Sequence, residues 1–219
     1  MPAAPAKKSS SKATKKKSAT LKPPEDRKTA RARRTETIKF LTLDETRRLF
    51  ACITDKRDKA IFLLAYRHGL RASEIGLLRV SDLDLKRLRV MLHRLKGSLS
   101  GEHPLQADEA RALKAWIKSR DTDSPILFLS WRSLPISRQM LDVLMKSYGE
   151  KAAIPKDKRH FHVLKHSIAT HLLEAGADLR YLQDWLGHAN IQNTVIYTAL
   201  VSTSREQKAR QYFLKLPRL

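Results

Sequence analysis

The sequence has a single cysteine, Cys52, half as many acidic as basic residues, and no long apolar run. One cysteine excludes an internal disulfide framework and any zinc site built from several cysteines, and it is typical of the reducing cytosol. No apolar stretch approaches the roughly 18 residues that span a bilayer, and the N-terminus lacks the apolar core of a signal peptide. These absences predict a cytoplasmic protein without a membrane anchor.

The excess of basic residues is the strongest compositional signal. Lysine and arginine number 44 against 22 aspartates and glutamates, which gives a formal net charge of +22 and a pI near 10.4. Such a charge indicates a polyanionic partner, nucleic acid first and an anionic membrane second. A hydrophobic content of 42% still suffices for a folded core. The composition therefore favours a nucleic-acid-binding protein, and we expect it to associate with the nucleoid.

Residues 1–37 form a basic segment of low complexity. The first 35 residues hold twelve lysines and arginines against Glu25 and Asp26, and Leu21 is the only large aliphatic residue after Met1. This composition cannot bury enough apolar area to offset the entropy of ordering, so we predict a disordered tail. Two functions stay open for the tail: it could keep the protein soluble, or it could track DNA phosphates without sequence preference.

Helical patterns dominate residues 38–204. The capping-box spacing of Thr42 and Glu45 predicts the first helix, and Gly69 is placed to end the second. Alternation of Leu88, Val90, Leu92 and Arg94 predicts a strand, which glycine-containing residues 96–101 connect to a second strand at 102–105. Further predicted elements are a short helix over 71–78, a helix over 107–118, a buried strand or extended run at 126–129, and helices capped by Ser137 and over 162–175 and 178–186.

The predicted fold class is mainly α with a small antiparallel β-sheet, in one domain over residues 38–204. Residues 205–219 form a separate C-terminal segment. Its Tyr212, Phe213, Leu214 and Leu216 suggest a packing or docking surface, either on the same chain or on a neighbouring subunit.

Six side chains together would suit the cleavage of a phosphodiester. The reaction needs a nucleophile, cations for the non-bridging oxygens and a donor for the leaving oxygen. A tyrosine ester retains the bond energy, so a DNA hydroxyl can later attack it. Imidazoles can handle protons near neutral pH, and neither a metal nor another cofactor is required. The candidates are Arg71, Lys96, His162, Lys165, His188 and Tyr197.

Each of these residues alone has a simpler reading. Arg71 could be a surface or capping arginine, His188 could cap helix carbonyls, and Tyr197 could be an ordinary core residue. His162 and His166 have the i,i+4 spacing of a helical metal pair, but the intervening glutamate of a zincin is absent. Most polar residues of the stretch 162–197 fall outside its apolar stripe, so we expect them to be accessible to a ligand.

The order of the motifs resembles the tyrosine recombinase (phage integrase) family over most of residues 38–200. Gly69-Leu-Arg-Ala-Ser-Glu74 is similar to the family's first-arginine motif, and His162-Val-Leu-Lys-His166 to its HxLRH motif. Leu186-Gly-His188 and Tyr197 resemble its histidine and nucleophile pair, and Lys96 resembles its β-hairpin lysine. The stretches around 93–105, 128–130 and 186–199 are most similar to the small fimbrial phase-switch recombinases.

This resemblance implies a catalytic-domain fold and a role for each residue. Tyr197 would attack the scissile phosphate to form a 3′-phosphotyrosyl bond, and Lys96 would protonate the leaving 5′-oxygen. Arg71 and His188 would hold the phosphate, and His162 would accept a proton or orient a partner. Partners would be double-stranded DNA, three further copies in a homo-tetramer on paired sites, and accessory DNA-bending proteins.

Two departures from the family pattern keep a second reading open. Lys165 stands where the family has its second arginine, so the positive charge survives but the planar fork does not. Arg159 is a candidate to compensate. The basic tail is also too short and polar to be the separate DNA-binding domain of larger members. The alternatives are therefore a recombinase-derived DNA-binding protein with weak or no turnover and, if the motifs are coincidental, a structural protein of the nucleoid.

Overall fold

Eight α-helices and one three-stranded sheet make up the described part of the chain. The computed structural model describes residues 38–95 and 97–200 and the single positions 209, 213 and 214. The predicted tail and almost all of the C-terminal segment therefore lie outside the described residues. The helices are α1 (Leu43–Cys52), α2 (Lys56–Arg67), α3 (Ala72–Ile75), α4 (Ala107–Ser119), α5 (Arg138–Lys151), α6 (Val163–Glu174), α7 (Leu179–Trp185) and α8 (Gln192–Val195).

The helix ends lie where local capping predicts them. Thr42 Oγ1 accepts the Glu45 N–H (3.1 Å) and the Glu45 carboxylate accepts the Thr42 N–H (2.7 Å), which confirms the capping box of α1. Ser137 Oγ likewise accepts the Met140 N–H (3.1 Å) at the start of α5. Gly69 follows α2 with a φ of +58°, a conformation that glycine adopts without steric cost. Short-range sequence signals thus set these boundaries.

The sheet contains the predicted hairpin and one extra strand. Strand β2 (Arg89–Leu92) pairs antiparallel with β3 (Gly101–Pro104) and with the unpredicted two-residue β1 (Leu83–Asp84). Val90 and Leu92 are fully buried and Met91 is exposed, as the alternation requires. The prediction that Leu88 points inward is wrong. Leu88 has a φ of +55° in the turn before β2 and is 39% exposed, because the alternation of side chains holds only within extended backbone.

The main core packs around α2, which contacts both α4 and α6. Phe62 of α2 is fully buried, and its ring meets Tyr148 and Phe161 edge-on at centroid distances of 5.7 and 5.4 Å. Edge-to-face contacts of this kind add about 0.5–1.5 kcal/mol each to the free energy of burial. A second apolar cluster lies beside the candidate site and contains Ile168, Ala169, Leu182, Leu186 and Tyr197.

One helix is shorter than predicted: α3 ends at Ile75 rather than near residue 78. Residues 126–129 form an extended run held by isolated bridges at both ends, which is one of the two forms predicted for them. Leu127 and Phe128 within that run are fully buried, as expected. Among the residues that the structure describes, no helix is both long and apolar enough to cross a membrane.

Candidate active site

Arg71 lies directly after Gly69 at the start of α3, and a buried carboxylate holds its side chain. Nη1 of Arg71 donates to Glu74 Oε1 (2.7 Å) and to Ser98 Oγ (3.1 Å), while the Arg71 N–H donates to Glu74 Oε2 (2.8 Å). The Glu74 side chain is completely buried, whereas that of Arg71 is 24% exposed. Glu74 therefore orients the guanidinium toward the hairpin and leaves part of it open to a ligand.

Arg94 forms a second buried cation behind Arg71. Its Nη2 donates to His68 O (2.8 Å) and Trp185 O (3.0 Å), and its Nη1 donates to Gly69 O (3.1 Å) and Glu74 Oε2 (3.4 Å). The Arg94 side chain has no exposed surface. It joins the Arg71 loop to the end of α7, so the first-arginine motif and the His188 turn are fixed relative to each other.

Three consecutive carbonyls precede His188, and donors from the hairpin and from α6 bind them. Trp185 O accepts from Arg94, Leu186 O accepts from Lys165 Nζ (3.2 Å), and Gly187 O accepts from the N–H of Leu99 (2.9 Å). The φ of Gly187 is +65°, and a Cβ there would lie 2.6 Å from Leu99 O. Only glycine fits this approach of turn and hairpin.

His188 is 5% exposed and is held by a short helix. Its Nδ1 lies 2.9 Å from Thr194 Oγ1, and its carbonyl accepts from Gln183 Nε2 (2.9 Å). Burial and the charges of Lys165, Arg71 and Arg94 lower the pKa of His188 to about 3. The imidazole is therefore neutral at pH 7. With Nδ1 occupied by the threonine hydroxyl, Nε2 is the nitrogen that can meet a phosphate.

Lys165 is buried rather than accessible, which contradicts the expectation for the polar residues of this stretch. It is 2% exposed, and its Nζ bonds Leu186 O. Burial first, then the charges of Arg94 and Arg71, lower the pKa of Lys165 to about 7. The amine of Lys165 therefore gains and loses its proton near neutral pH, whereas an arginine would stay charged. Arg159 is directed elsewhere, to Ile154 O and Glu150.

Tyr197 is also buried, at 2% exposure, in the 3-10 turn Ile196–Ala199 that follows α8. Its phenol oxygen lies 3.0 Å from His166 Nδ1. Burial raises the pKa of Tyr197 above its usual range, and the charge of Arg71 opposes that rise. The phenol is therefore protonated at neutral pH, and its partner is the second histidine of the HxLKH motif.

His162 immediately precedes α6 and is exposed at the rim of a cavity of about 490 Å³. Arg71, Arg138 and His160 also line this cavity. Although one edge of the His162 ring meets solvent, the protein packed around the remainder and the charges of Lys165 and Arg71 lower its pKa to about 4. The cavity thus opens the cationic cluster to the outside.

Lys96 lies outside the described residues, so its predicted place in the site stays a prediction. Its neighbours on both sides reach the cluster: the Leu95 N–H donates to Glu74 Oε1 (3.2 Å), and Ser98 Oγ accepts from Arg71. Over the described ranges 38–95 and 97–200, no group of three or more histidine, cysteine, aspartate or glutamate side chains could hold a metal ion.

Of the six predicted residues, the structure places Arg71, Lys165, His188 and Tyr197 around one cluster with His162 at its rim. Sequence reasoning missed Glu74, Arg94 and His166 as parts of it. Glu74 and His166 stood inside the quoted motifs but had no assigned role. The alternation of the strand placed Arg94 on the inward face, and a charged residue at an inward position is the signal that could have identified it.

The fold, mostly helical with a small antiparallel sheet, is that of tyrosine recombinase catalytic domains. The phage integrase family matches residues 39–203. The chain belongs to that family.

Several relatives support the assignment. Tyrosine recombinase XerA of Thermococcus onnurineus (strain NA1) is 38% identical over 178 residues, 79% of this chain and 62% of the relative. Type 1 fimbriae regulatory protein FimE of Escherichia coli (strain K12) is 38% identical over 172 residues, 74% of this chain and 85% of the relative. FimB of the same strain is 42% identical over 147 residues, 65% of this chain and 73% of the relative. The predicted similarity to fimbrial proteins is thus confirmed.

A solved structure confirms the fold. The crystal structure of XerA recombinase has a TM-score of 0.67 and 32% identity, and the match covers 83% of this chain and 65% of that chain. The present chain therefore spans less than two thirds of the length of the XerA proteins that it matches.

Proposed function

We propose that this chain is a site-specific DNA recombinase that cleaves and rejoins strands through a 3′-phosphotyrosyl intermediate. The observation that carries the proposal is the position of Tyr197. Its phenol sits in a cluster to which separate segments contribute Arg71, Lys165 and His188, and the charge of Arg71 acts on it. A phenol surrounded by cationic side chains is suited to attack a phosphodiester, because the cations stabilise the negative charge that develops on the phosphate.

In the proposed reaction the phenol oxygen forms a bond to phosphorus while the bond to the 5′-oxygen breaks. Arg71 and Lys165 would neutralise the non-bridging oxygens, and Nε2 of His188 would donate a hydrogen bond to one of them. Lys96 would protonate the departing 5′-oxygen. A 5′-hydroxyl from a second duplex then attacks the phosphotyrosine, which restores Tyr197 and completes strand exchange; the outcome is inversion, integration or excision according to how the two sites are arranged.

Double-stranded DNA is the proposed substrate, and the protein would act in the nucleoid. The net charge of +22 supplies non-specific attraction to phosphates. Strand exchange between two duplexes needs four active sites, so we propose a homo-tetramer on paired sites, assisted by accessory DNA-bending proteins. We also propose residues 38–204 as the catalytic domain and 205–219 as a docking segment.

Lys165→Arg is expected to change the pH profile of cleavage. Because Lys165 has a pKa of about 7 in the free protein, its charge is present below that pH and is lost as pH rises through it. At pH 8 only about 10% of such a lysine is charged. At limiting DNA concentration the arginine protein should therefore form covalent complex up to about tenfold faster at pH 8 and at a similar rate at pH 6. A sharp fall at both pH values would show that the site is built around lysine.

Removing residues 2–35 is expected to weaken binding to DNA and to reduce its dependence on salt. We propose that this basic segment contacts phosphates without sequence preference. Each phosphate contact contributes about 0.9 to the slope of log K against log salt concentration. Loss of three or four such contacts with the segment should reduce the magnitude of this slope by about 3. A full-length control with glutamine in place of the segment's lysines and arginines should behave like the deletion. An unchanged slope would show that the segment does not contact DNA.

The proposed function is tested by trapping the covalent intermediate. The probe is a pool of duplexes with randomised arms on either side of a central nick. Cleavage near the nick releases a short fragment, and without that fragment the strand cannot be rejoined, so the covalent intermediate accumulates. Protein-bound DNA that survives SDS is recovered and sequenced, which also yields the recognised site. Specific binding without any SDS-resistant product would support the alternative, a DNA-binding protein that has lost turnover.

A further inference from the structure

We propose that His166 accepts the proton of Tyr197 and that His162 passes this proton to solvent. The resemblance to the family implied that His162 accepts a proton or orients a partner, and nothing in the motif comparison gave His166 a role. The inference rests on the proposed function, since it concerns how the nucleophile of that reaction is activated.

His166 already contacts the nucleophile in the free protein. His166 Nδ1 lies 3.0 Å from the Tyr197 phenol oxygen, and the two ring centroids are 5.7 Å apart. Within the described residues, the phenol makes no other side-chain or backbone hydrogen bond. A proton acceptor must lie within about 2.6–3.2 Å of the atom that it deprotonates, and His166 meets this requirement before DNA binds.

His166 is neutral in the free protein and can accept a proton. Burial, followed by the charges of His162, His160 and Lys165, lowers the pKa of His166 to about 3. A neutral imidazole carries one N–H and one lone pair. The phenol is protonated and has no other hydrogen-bond partner among the described residues, so it donates to Nδ1. The lone pair of His166 then lies on Nδ1 and its proton on Nε2.

The His162 ring lies between His166 and solvent. The rings of His162 and His166 meet edge-on with centroids 4.6 Å apart, as their i,i+4 spacing around the start of α6 dictates. Exposure increases along the series: Tyr197 is buried, His166 is half-buried and His162 is exposed. A proton that leaves the buried phenol therefore has an imidazole at each stage of the way out.

The proton balance of the cleavage step follows. The Tyr197 O–H bond breaks and its proton moves to His166 Nδ1, while the phenol oxygen bonds phosphorus and the 5′-oxygen leaves with a proton from the proposed donor, Lys96. The imidazolium that forms faces His162, His160 and Lys165, all of which disfavour its charge. The dianionic transition state of the phosphate compensates for this repulsion, so His166 becomes a better acceptor only when DNA is in place.

The test compares two histidines of α6 that make the same kind of contact. His171 Nδ1 lies 2.8 Å from the Tyr66 phenol oxygen, and its Nε2 lies 2.8 Å from Leu41 O. His171→Ala therefore removes a tyrosine–histidine hydrogen bond, and the contact with Leu41, without touching the nucleophile. With the duplex recovered by trapping, His166→Ala is expected to slow covalent complex formation about 100-fold to 1,000-fold at saturating DNA. His171→Ala should stay within about threefold of the unaltered protein.

Added imidazole separates catalysis from structure. Removing the half-buried His166 ring leaves space that free imidazole can enter. Added imidazole should therefore act as the proton acceptor, restore the rate of His166→Ala at least about tenfold and leave His171→Ala unchanged. A rate for His166→Ala within threefold of the unaltered protein overturns the proposal, and so does a slow rate that imidazole does not restore.

A measurement on the free protein keeps this inference separate from the proposed function. Nitrogen-15 NMR of histidine-labelled full-length chain should show His166 as the neutral tautomer with its proton on Nε2 and Nδ1 as an acceptor. A proton on Nδ1 would make the phenol the acceptor and would overturn the inference even if the chain cleaves DNA. If the unaltered chain forms no covalent complex, the proposed function fails, whatever the tautomer.

Discussion

Tyr197→Phe is expected to bind the recovered duplex with unchanged affinity and to form no SDS-resistant complex. The substitution removes the only atom that can bond phosphorus in the proposed reaction, so the loss should exceed about 1,000-fold, the scale of removing a nucleophile. The protein should still fold. Phenylalanine fills the same space in the cluster of Ile168, Leu182 and Leu186, and the lost hydrogen bond to His166 is worth about 1 kcal/mol.

Tyr66→Phe is the matched control for this change. Its phenol bonds His171 Nδ1 at 2.8 Å, so the control loses a tyrosine–histidine hydrogen bond of similar length. Covalent complex formation should persist in Tyr66→Phe. Equal loss in both proteins would indicate a structural effect, and a residual complex in Tyr197→Phe would assign the nucleophile to another residue.

Arg94→Leu should destabilise the protein more than any other single change considered. Leucine removes the hydrogen bonds to His68 O, Gly69 O and Trp185 O and the ion pair with Glu74, whose carboxylate is fully buried. Arg71 still pairs with Glu74 after this change, so the loss comes mainly from three backbone carbonyls left without a donor. Each buried acceptor without a partner costs about 1–3 kcal/mol, so the free energy of unfolding should fall by about 3–5 kcal/mol. For a chain of this size each kcal/mol lowers Tm by roughly 2–4 °C, so thermal unfolding should begin about 10 °C lower.

Arg89→Leu provides the comparison for Arg94. Arg89, the first residue of β2, lies five residues before Arg94. Its side chain is exposed, and its ion pair is a 3.9 Å contact with Glu102. Exposed pairs of this kind contribute at most about 1 kcal/mol, so Tm should change little. A similar small change in Arg94→Leu would mean that the Arg71 loop and the His188 turn are held together without this guanidinium.

Local features of the fold were predictable because short-range chemistry determines them. The capping box of Thr42 and Glu45, the helix end at Gly69 and the hairpin all depend on residues close in sequence. Leu88 broke the pattern where the backbone turned left-handed before the strand. The two-residue β1 has too few positions for any alternation to be visible.

The membership of the site was largely predictable from the order of its motifs, whereas its geometry was not. Lys165 and Tyr197 are buried because α6, α7 and the turn after α8 pack against one another. Tertiary contacts determine this packing, and the spacing of residues in the sequence does not show it. Sequence spacing also could not show which of two histidines one helical turn apart contacts the tyrosine. Spacing showed that His162 and His166 share a face, but only the position of Tyr197 shows that His166 meets the phenol.

The most direct test of the account is to locate the covalent bond itself. The trapped complex of the full chain is digested with protease and nuclease, and the peptide that carries a nucleotide is sequenced by mass spectrometry. The account predicts one modified residue, Tyr197, joined through a 3′-phosphate, with a free 5′-hydroxyl on the released strand. A nucleotide on any other residue, or a 5′-phosphate linkage, would contradict it.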